Sequence, residues 1–120
     1  MKSKKKISEM LLDIADYYIK INYTEEDFRQ TISTASGAWN LALMDKSSRE
    51  EMIETYKKSV DKNSPSFNKI LFDDTIRKIR SMIKKKEKLY PNERCFIADV
   101  MTKKLSDGKY KIDVYSIDDD

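Results

Sequence analysis

The spacing of apolar residues changes near Pro91, and this change constrains the fold more than any other feature of the chain. Residues 76–90 place Ile76, Ile79 and Ile83 at helical spacing. Beyond Pro91, apolar residues alternate on both sides of a turn, as they do in the two strands of a hairpin. A proline disfavours helical backbone at the residue before it, so the helix should end there. The sequence therefore predicts a long helix that leads into a C-terminal two-stranded hairpin.

Further segments with helical spacing precede this one. Together, the helical segments cover residues 4–22, 25–44, 47–60 and 67–90. Thr24 should cap the second segment. The Ser47-Ser48 pair should begin the third, whose apolar stripe is Met52, Ile53, Tyr56 and Val60. A possible internal cap at Asp73-Asp74-Thr75 leaves open whether the last segment is one helix or two. The prediction is an α+β fold, with four or five packed helices followed by a C-terminal two-stranded antiparallel hairpin.

We expect the helices to pack around five large apolar residues. These are Phe28, Ile32, Trp39, Ile79 and Ile83. Gly37 lies on the opposite face of the second helix, where a glycine costs about 1 kcal/mol relative to alanine. Either another backbone comes close to Gly37, or the glycine is a tolerated residue that faces solvent. The sequence leaves both interpretations open.

The turn of the hairpin can be built in two ways. A two-residue Asp-Gly turn would set Met101 opposite Val114 and would mix charged with apolar side chains on one face. A three-residue loop, with Gly108 in the left-handed conformation, sets Val100 opposite Val114 instead. It gathers one apolar face, made of Phe96, Ala98, Val100, Ile112 and Val114. We predict the second arrangement, with this face docked on the helices or paired with another chain.

Length and composition limit the class of protein. With 120 residues the chain can bury one core, so we expect a single domain over residues 1–120, frayed at about 1–4 and 118–120. The net charge is only +3, and the single cysteine cannot form an intrachain disulfide. No apolar run approaches the roughly 18 residues that span a bilayer. We expect a cytoplasmic protein that does not associate with a membrane.

The residue types of common catalytic sites are scarce. The chain has no histidine, which is the commonest general base and metal ligand, so Cys95 has no histidine to activate it. Two glycines are too few for the usual phosphate-binding loops. A carboxylate pair, Asp99 with Asp113 or Glu93, stays open, although solvated surface charge explains these residues more simply. We expect no enzyme activity, no catalytic residue, no metal site and no cofactor.

The polar side of residues 76–90 is strongly basic and is the candidate site for a polyanion. At 100° per residue its basic residues cover one arc of about 160°, interrupted only by Ser81 and by no acid. They are Arg77, Lys78, Arg80, Lys84, Lys85 and Lys88. Such a face could lie along a phosphate backbone without reading its bases. Lysines near a helix C-terminus also stabilise the helix dipole, however, and need no ligand to do so.

Two motifs carry a resemblance to a known group of proteins. One is Ala38-Trp39-Asn40-Leu41-Ala42, and the other is Lys86-Glu87-Lys88-Leu89-Tyr90-Pro91-Asn92-Glu93-Arg94, ahead of a hairpin that ends in Val114-Tyr115-Ser116. In these features residues 39–116 resemble small uncharacterised bacterial proteins with an Ala-Trp-Asn helix, a Lys-x-x-Phe-Pro-like segment and a closing hairpin. Tyr90 stands where that group has phenylalanine. The resemblance implies an architecture and no particular activity.

The sequence thus indicates an architecture more than an activity. We expect a small non-catalytic cytosolic accessory or protein-interaction module, whose partner is another protein. The alternative is non-specific nucleic-acid binding through residues 77–88. A homodimer is also open, because a two-stranded hairpin leaves one edge of each strand unpaired. Residues 94–100 and 114–117, or Gly37, are the positions where a second copy could approach.

Overall fold

The computed structural model describes residues 6–19 and 24–117, which form four helices followed by two antiparallel strands. The helices are α1 (Ile7–Ile19), α2 (Glu25–Ala42), α3 (Lys46–Ser59) and α4 (Lys69–Leu89), and the strands are β1 (Phe96–Lys104) and β2 (Tyr110–Ile117). The predicted α+β fold is confirmed. The frayed ends predicted at about 1–4 and 118–120 lie outside the described residues, as do the predicted ends of the first helix. In the part of the chain that is described, no helix is both long and apolar enough to cross a membrane.

Side-chain caps set the starts of the helices. Thr24 caps α2 as predicted, because its Oγ1 accepts a backbone N–H at 2.9 Å. The prediction for α3 is wrong: Asp45, rather than the Ser47-Ser48 pair, is the N-cap, and its carboxylate accepts the backbone N–H of Ser48 at 2.8 Å. Asn68 caps α4, which runs unbroken through residues 73–75. The last helical segment is therefore one helix.

The core lies between α1, α2, α4 and the inner face of the hairpin. Trp39 and Ile32 are fully buried at its centre, and Phe28 and Ile83 are buried beside them. Ile79 is only partly buried and packs against this cluster. The core prediction is therefore confirmed at four of the five positions, whereas Ile79 is less buried than predicted.

The region around α3 packs more loosely than its sequence pattern predicts. Ile53 is the one buried residue of α3, whereas Met52 and Tyr56 of the same predicted stripe are exposed. At the start of α4, Ile70 and Leu71 are 80% and 63% exposed. The stripe prediction fails here because α3 meets the rest of the described chain mainly along the α2 side. The region presents apolar side chains to solvent.

The turn and register of the hairpin agree with the prediction. Gly108 has a φ of 85°, in the left-handed region that glycine adopts without strain. Val100 lies opposite Val114, as the three-residue loop requires.

A bulge in β1 changes which residues face the core. At Ala98, two residues of β1 stand against one residue of β2. The extra residue reverses the alternation, so Ile97 is buried while Phe96 and Ala98 are exposed. The predicted inner face is therefore wrong at Phe96 and Ala98, because it rests on strict alternation along the whole strand.

Candidate functional site

Side chains of α2 hold the start of β1 in a fixed position. Trp39 Nε1 donates to the carbonyl of Cys95 at 2.8 Å. Asn40 Nδ2 donates to the carbonyl of Ile97 at 2.9 Å, and Asn40 Oδ1 accepts the N–H of the same residue at 2.8 Å. Cys95 is itself buried, as expected for a structural thiol. β1 is thus anchored to the centre of the core.

Lys86 fixes the turn that connects α4 to β1. Its side chain is 3% exposed, and Nζ donates to the carbonyls of Tyr90 and Glu93 at 2.8 and 2.6 Å. The same Nζ lies 4.9 Å from the ring centre of Trp39. Burial lowers the pKa of Lys86, and the nearby Glu93 carboxylate opposes that shift. The two motifs of the sequence resemblance therefore meet in space, through contacts that stabilise the fold.

These anchoring contacts show the structural roles of Asn40 and Lys86. The sequence predicts no individual role for either residue, although both lie within the motifs. Within the described ranges, no buried side-chain nitrogen or oxygen lacks a hydrogen-bond partner. The signal for Asn40 is its place directly after a core tryptophan in an otherwise apolar stretch. A polar residue at such a position needs a partner.

Beyond this anchor, β1 has one paired edge and one open edge. The sheet formed by the described residues contains only β1 and β2. Leu105 N–H donates to the carbonyl of Lys109 at 2.7 Å, so the backbone groups of Leu105 face β2. In an antiparallel pair these directions alternate along the strand. The register therefore points the backbone groups of Val100 and Thr102 away from β2.

Three hydrogen bonds agree with this direction. The backbone groups of Ile97 point away from β2 and are taken by Asn40. The N–H of Val100 also points away, and it donates to the carboxylate of Asp99 at 2.9 Å. The open edge thus begins after Ile97 and runs through Val100 and Thr102.

A groove of about 500 Å³ lies between this open edge and the polar face of α2. One wall is formed by residues 96–100 and Thr102, and the other includes the small residues Ser33, Ser36 and Gly37. Apart from its chain neighbours and the backbone of its own helix, a Cβ atom placed on Gly37 would meet no atom of the described residues within 4 Å. Within the described chain no backbone packs against Gly37, which instead borders open space. We call this space the edge groove.

The outer face of the hairpin, next to the edge groove, mixes exposed apolar residues with charges. Its exposed apolar side chains, between 46% and 60% accessible, are Phe96, Met101, Tyr115 and Ile117. Asp99 and Lys103 lie on the same face, two residues to either side of Met101. Exposed apolar residues grouped in this way are typical of interaction surfaces.

Half of the predicted polyanion-binding residues form ion pairs. Arg77 and Lys78 both pair with Asp74, at 3.3 and 3.1 Å. Arg80 donates to both carboxylate oxygens of Glu50 in α3, at 2.8 and 3.0 Å. Residues 76–90 themselves place no acid within the arc, but the fold brings Asp74 of the preceding turn and Glu50 of another helix against it.

The other half have no ion pair within residues 6–19 and 24–117. Lys84 and Lys88 are exposed and lie one turn apart on α4, whereas Lys85 is half-buried. The unpaired part of the basic face is thus confined to the last turns of the helix, where the dipole already favours positive charge.

A larger groove, of about 1100 Å³, lies between the end of α2, α3 and α4. Its charges are mostly satisfied within the protein, since Arg80 is paired with Glu50, and Arg49 donates to Glu87 and to three carbonyls near the end of α2. Nowhere in the described chain do three or more Cys, Asp or Glu side chains come together as a metal site would require.

Comparison of the chain with protein-family models, curated proteins and solved structures found no match. The resemblance to small bacterial proteins therefore stays a prediction.

Proposed function

We propose that this chain is a non-catalytic protein-interaction module that binds an extended segment of a protein partner in the edge groove. The segment adds to β1 as a further strand. The observation that carries the proposal is the open edge at Val100 and Thr102, which lies beside a groove of about 500 Å³. Backbone hydrogen bonds to such an edge supply affinity, and the groove beside it receives alternate side chains of the bound segment.

The surroundings of the edge suit this role. Asn40 and Trp39 attach β1 to the core, so the edge is already in place before a partner arrives. A preformed site lowers the entropic cost of binding. The small side chains of Ser33 and Gly37 leave room on the α2 side. The exposed apolar surface at Ile70 and Leu71 is a weaker candidate, because it has no comparable hydrogen-bonding pattern to select a partner.

Substitutions at Gly37 test the proposal without damage to the fold. Gly37→Gln should fill the groove, and Gly37→Ala is the matched control that leaves it open. Both replace a helical glycine at an exposed position and should stabilise α2 slightly. A displayed library of random peptides is selected against the wild-type protein, and the affinity of each selected peptide is then measured for both variants.

We expect selected peptides to bind the wild type and Gly37→Ala alike and to bind Gly37→Gln at least about tenfold more weakly, the effect of losing about 1.4 kcal/mol. They should also slow hydrogen exchange at the Val100 and Thr102 amides. Peptides that bind Gly37→Gln as tightly as the wild type would overturn the proposal, and so would a selection that yields no peptide against a protein that stays monomeric.

Non-specific binding of nucleic acid is the second candidate function. It is favoured by Lys84 and Lys88, which are exposed and form no ion pair with any described residue. Affinity for mixed-sequence DNA and RNA, measured at two salt concentrations, tests it. Binding that weakens steeply with salt and is lost in a Lys84→Glu, Lys88→Glu double variant supports this candidate, and salt-independent or absent binding removes it.

A further inference from the structure

We infer that the segment which fills the edge groove is β1 of a second copy of this chain, paired antiparallel about a two-fold axis beside Met101. This inference rests on the proposed function and names its partner. The two sheets would join into one sheet of four strands, with the two β1 strands at its centre.

The direction of the backbone groups limits how two copies can pair. Val100 and Thr102 both direct their N–H and C=O groups away from β2. Within the part of the edge that lines the groove, which ends at Thr102, a symmetric antiparallel pair can therefore be centred on Val100, on Met101 or on Thr102. When it is centred on Met101, Val100 of each copy exchanges hydrogen bonds with Thr102 of the other.

Charge distinguishes these three registers. Only the register centred on Met101 sets Asp99 of one copy opposite Lys103 of the other, and symmetry makes this pair occur twice. Centring on Val100 sets Asp99 opposite Met101, and centring on Thr102 sets Asp99 opposite Leu105. Opposite charges directly across neighbouring strands are stabilising, and like charges are destabilising. The charges of one β1 strand are therefore complementary to those of β1 in a second, antiparallel copy.

The same register also accounts for two features of the single chain, the exposure of Met101 and the contact between Asp99 and the Val100 N–H. Met101, which is 56% exposed, would meet its own counterpart on the axis and lose contact with water. The carboxylate of Asp99, which covers the N–H of Val100 in the single chain, would exchange this contact for Lys103 of the second copy. The Val100 N–H is then free to bond to the added strand.

A charge exchange within one chain tests the register. Asp99→Lys and Lys103→Asp each create two like-charge contacts in the dimer, whereas the double variant restores both pairs and the net charge. Residues 99 and 103 are four apart on a strand, which is too far for direct contact within one copy. Lys84→Asp, on α4, is the control for the change in charge.

Light scattering across micromolar concentrations should give a mass that approaches twice 14.1 kDa for the wild type and for the Lys84→Asp control. Each single reversal should raise the dimer dissociation constant about tenfold, because symmetry doubles its effect, and the double variant should recover most of the loss. A double variant that dimerises no better than the single ones would overturn the register.

A cysteine on the axis gives a second, independent readout. Residues that face each other without exchanging hydrogen bonds have Cα atoms about 4.5 Å apart, which suits a disulfide. Met101→Cys should therefore cross-link under mild oxidation in dilute solution, and Tyr115→Cys, equally exposed on the same face, should not. The native Cys95 is buried and does not interfere. Equal cross-linking of both variants would contradict an axis at Met101.

Failure of this inference can be told apart from failure of the proposed function. A mass that stays at 14.1 kDa up to millimolar concentration excludes the second copy. If selected peptides still bind the wild type and not Gly37→Gln, the edge groove remains a binding site for another protein. If neither a second copy nor a peptide binds there, both are wrong.

Discussion

Asn40 satisfies both backbone polar groups of Ile97, at 2.9 Å from Nδ2 to the carbonyl and 2.8 Å from the N–H to Oδ1. The side-chain amide takes the position that the backbone of a neighbouring strand would take. The backbone groups of Ile97 are therefore not available to an added strand, and the part of the β1 edge that can pair begins after this residue. The same contact joins α2 to the hairpin across 57 residues of sequence.

Asn40→Ala should destabilise the protein by about 1–3 kcal/mol, because a partly buried N–H and C=O lose their partners. Chemical denaturation measures this loss as a shift of the midpoint at constant slope. Ser36→Ala, one turn earlier on the same helix, is the control and should change stability by no more than about 0.5 kcal/mol. A similarly small effect for Asn40→Ala would mean that water replaces the amide without cost.

Trp39→Ala should cost about 3–5 kcal/mol, since Trp39 is fully buried at the centre of the core. A loss of this size threatens a domain of ordinary stability. Trp39→Phe keeps most of the ring but removes the Nε1 donor to Cys95, and it should cost less than Trp39→Ala. The midpoint of thermal unfolding should therefore fall further for Trp39→Ala than for Trp39→Phe. An unchanged midpoint for Trp39→Ala would contradict a core role.

The features that the sequence predicts correctly depend on neighbouring residues along the chain. The Thr24 cap and the left-handed Gly108 are local, and so are the helical and strand periods. The bulge at Ala98 and the pairing of Arg80 with Glu50 depend on how distant elements meet. The spacing of apolar residues within one helix or strand carries no information about its contacts with distant elements. The sequence therefore indicates Gly37 and the edge of β1 separately, but it does not place them on opposite walls of one groove.

Glu50→Gln should loosen α3 without unfolding the core. Arg80 holds the Glu50 carboxylate, and this hydrogen bond lowers the pKa of Glu50 below its ordinary value of 4.5. The pair therefore stabilises α3 above pH 4.5, and its contribution is lost as the pH falls through the lowered pKa. Ile53 is the one buried residue of α3, so the helix relies on such contacts.

Amide exchange in α3 measures this effect. At neutral pH, protection should fall in Glu50→Gln but stay unchanged in α2, and acid should reduce α3 protection in the wild type more than in the variant. Glu51→Gln, the exposed neighbour, is the control. Equal protection of α3 in wild type and Glu50→Gln would show that the ion pair contributes nothing, as many exposed pairs do.

Lys86 should make the wild-type protein more stable, relative to Lys86→Met, as the solution becomes alkaline. Burial lowers the pKa of Lys86 in the folded state below the ordinary value of 10.5, so between the two values the unfolded chain binds more protons. Stability contributed by this group therefore rises with pH through that window and levels off above 10.5. The neutral amine still has two N–H donors for the carbonyls of Tyr90 and Glu93, so loss of the proton leaves both hydrogen bonds in place. Denaturant unfolding at a series of pH values gives the difference in the free energy of unfolding between wild type and variant. The titration of other groups cancels in this difference. A difference that stays constant up to pH 10.5, or falls, would contradict a lowered pKa for Lys86.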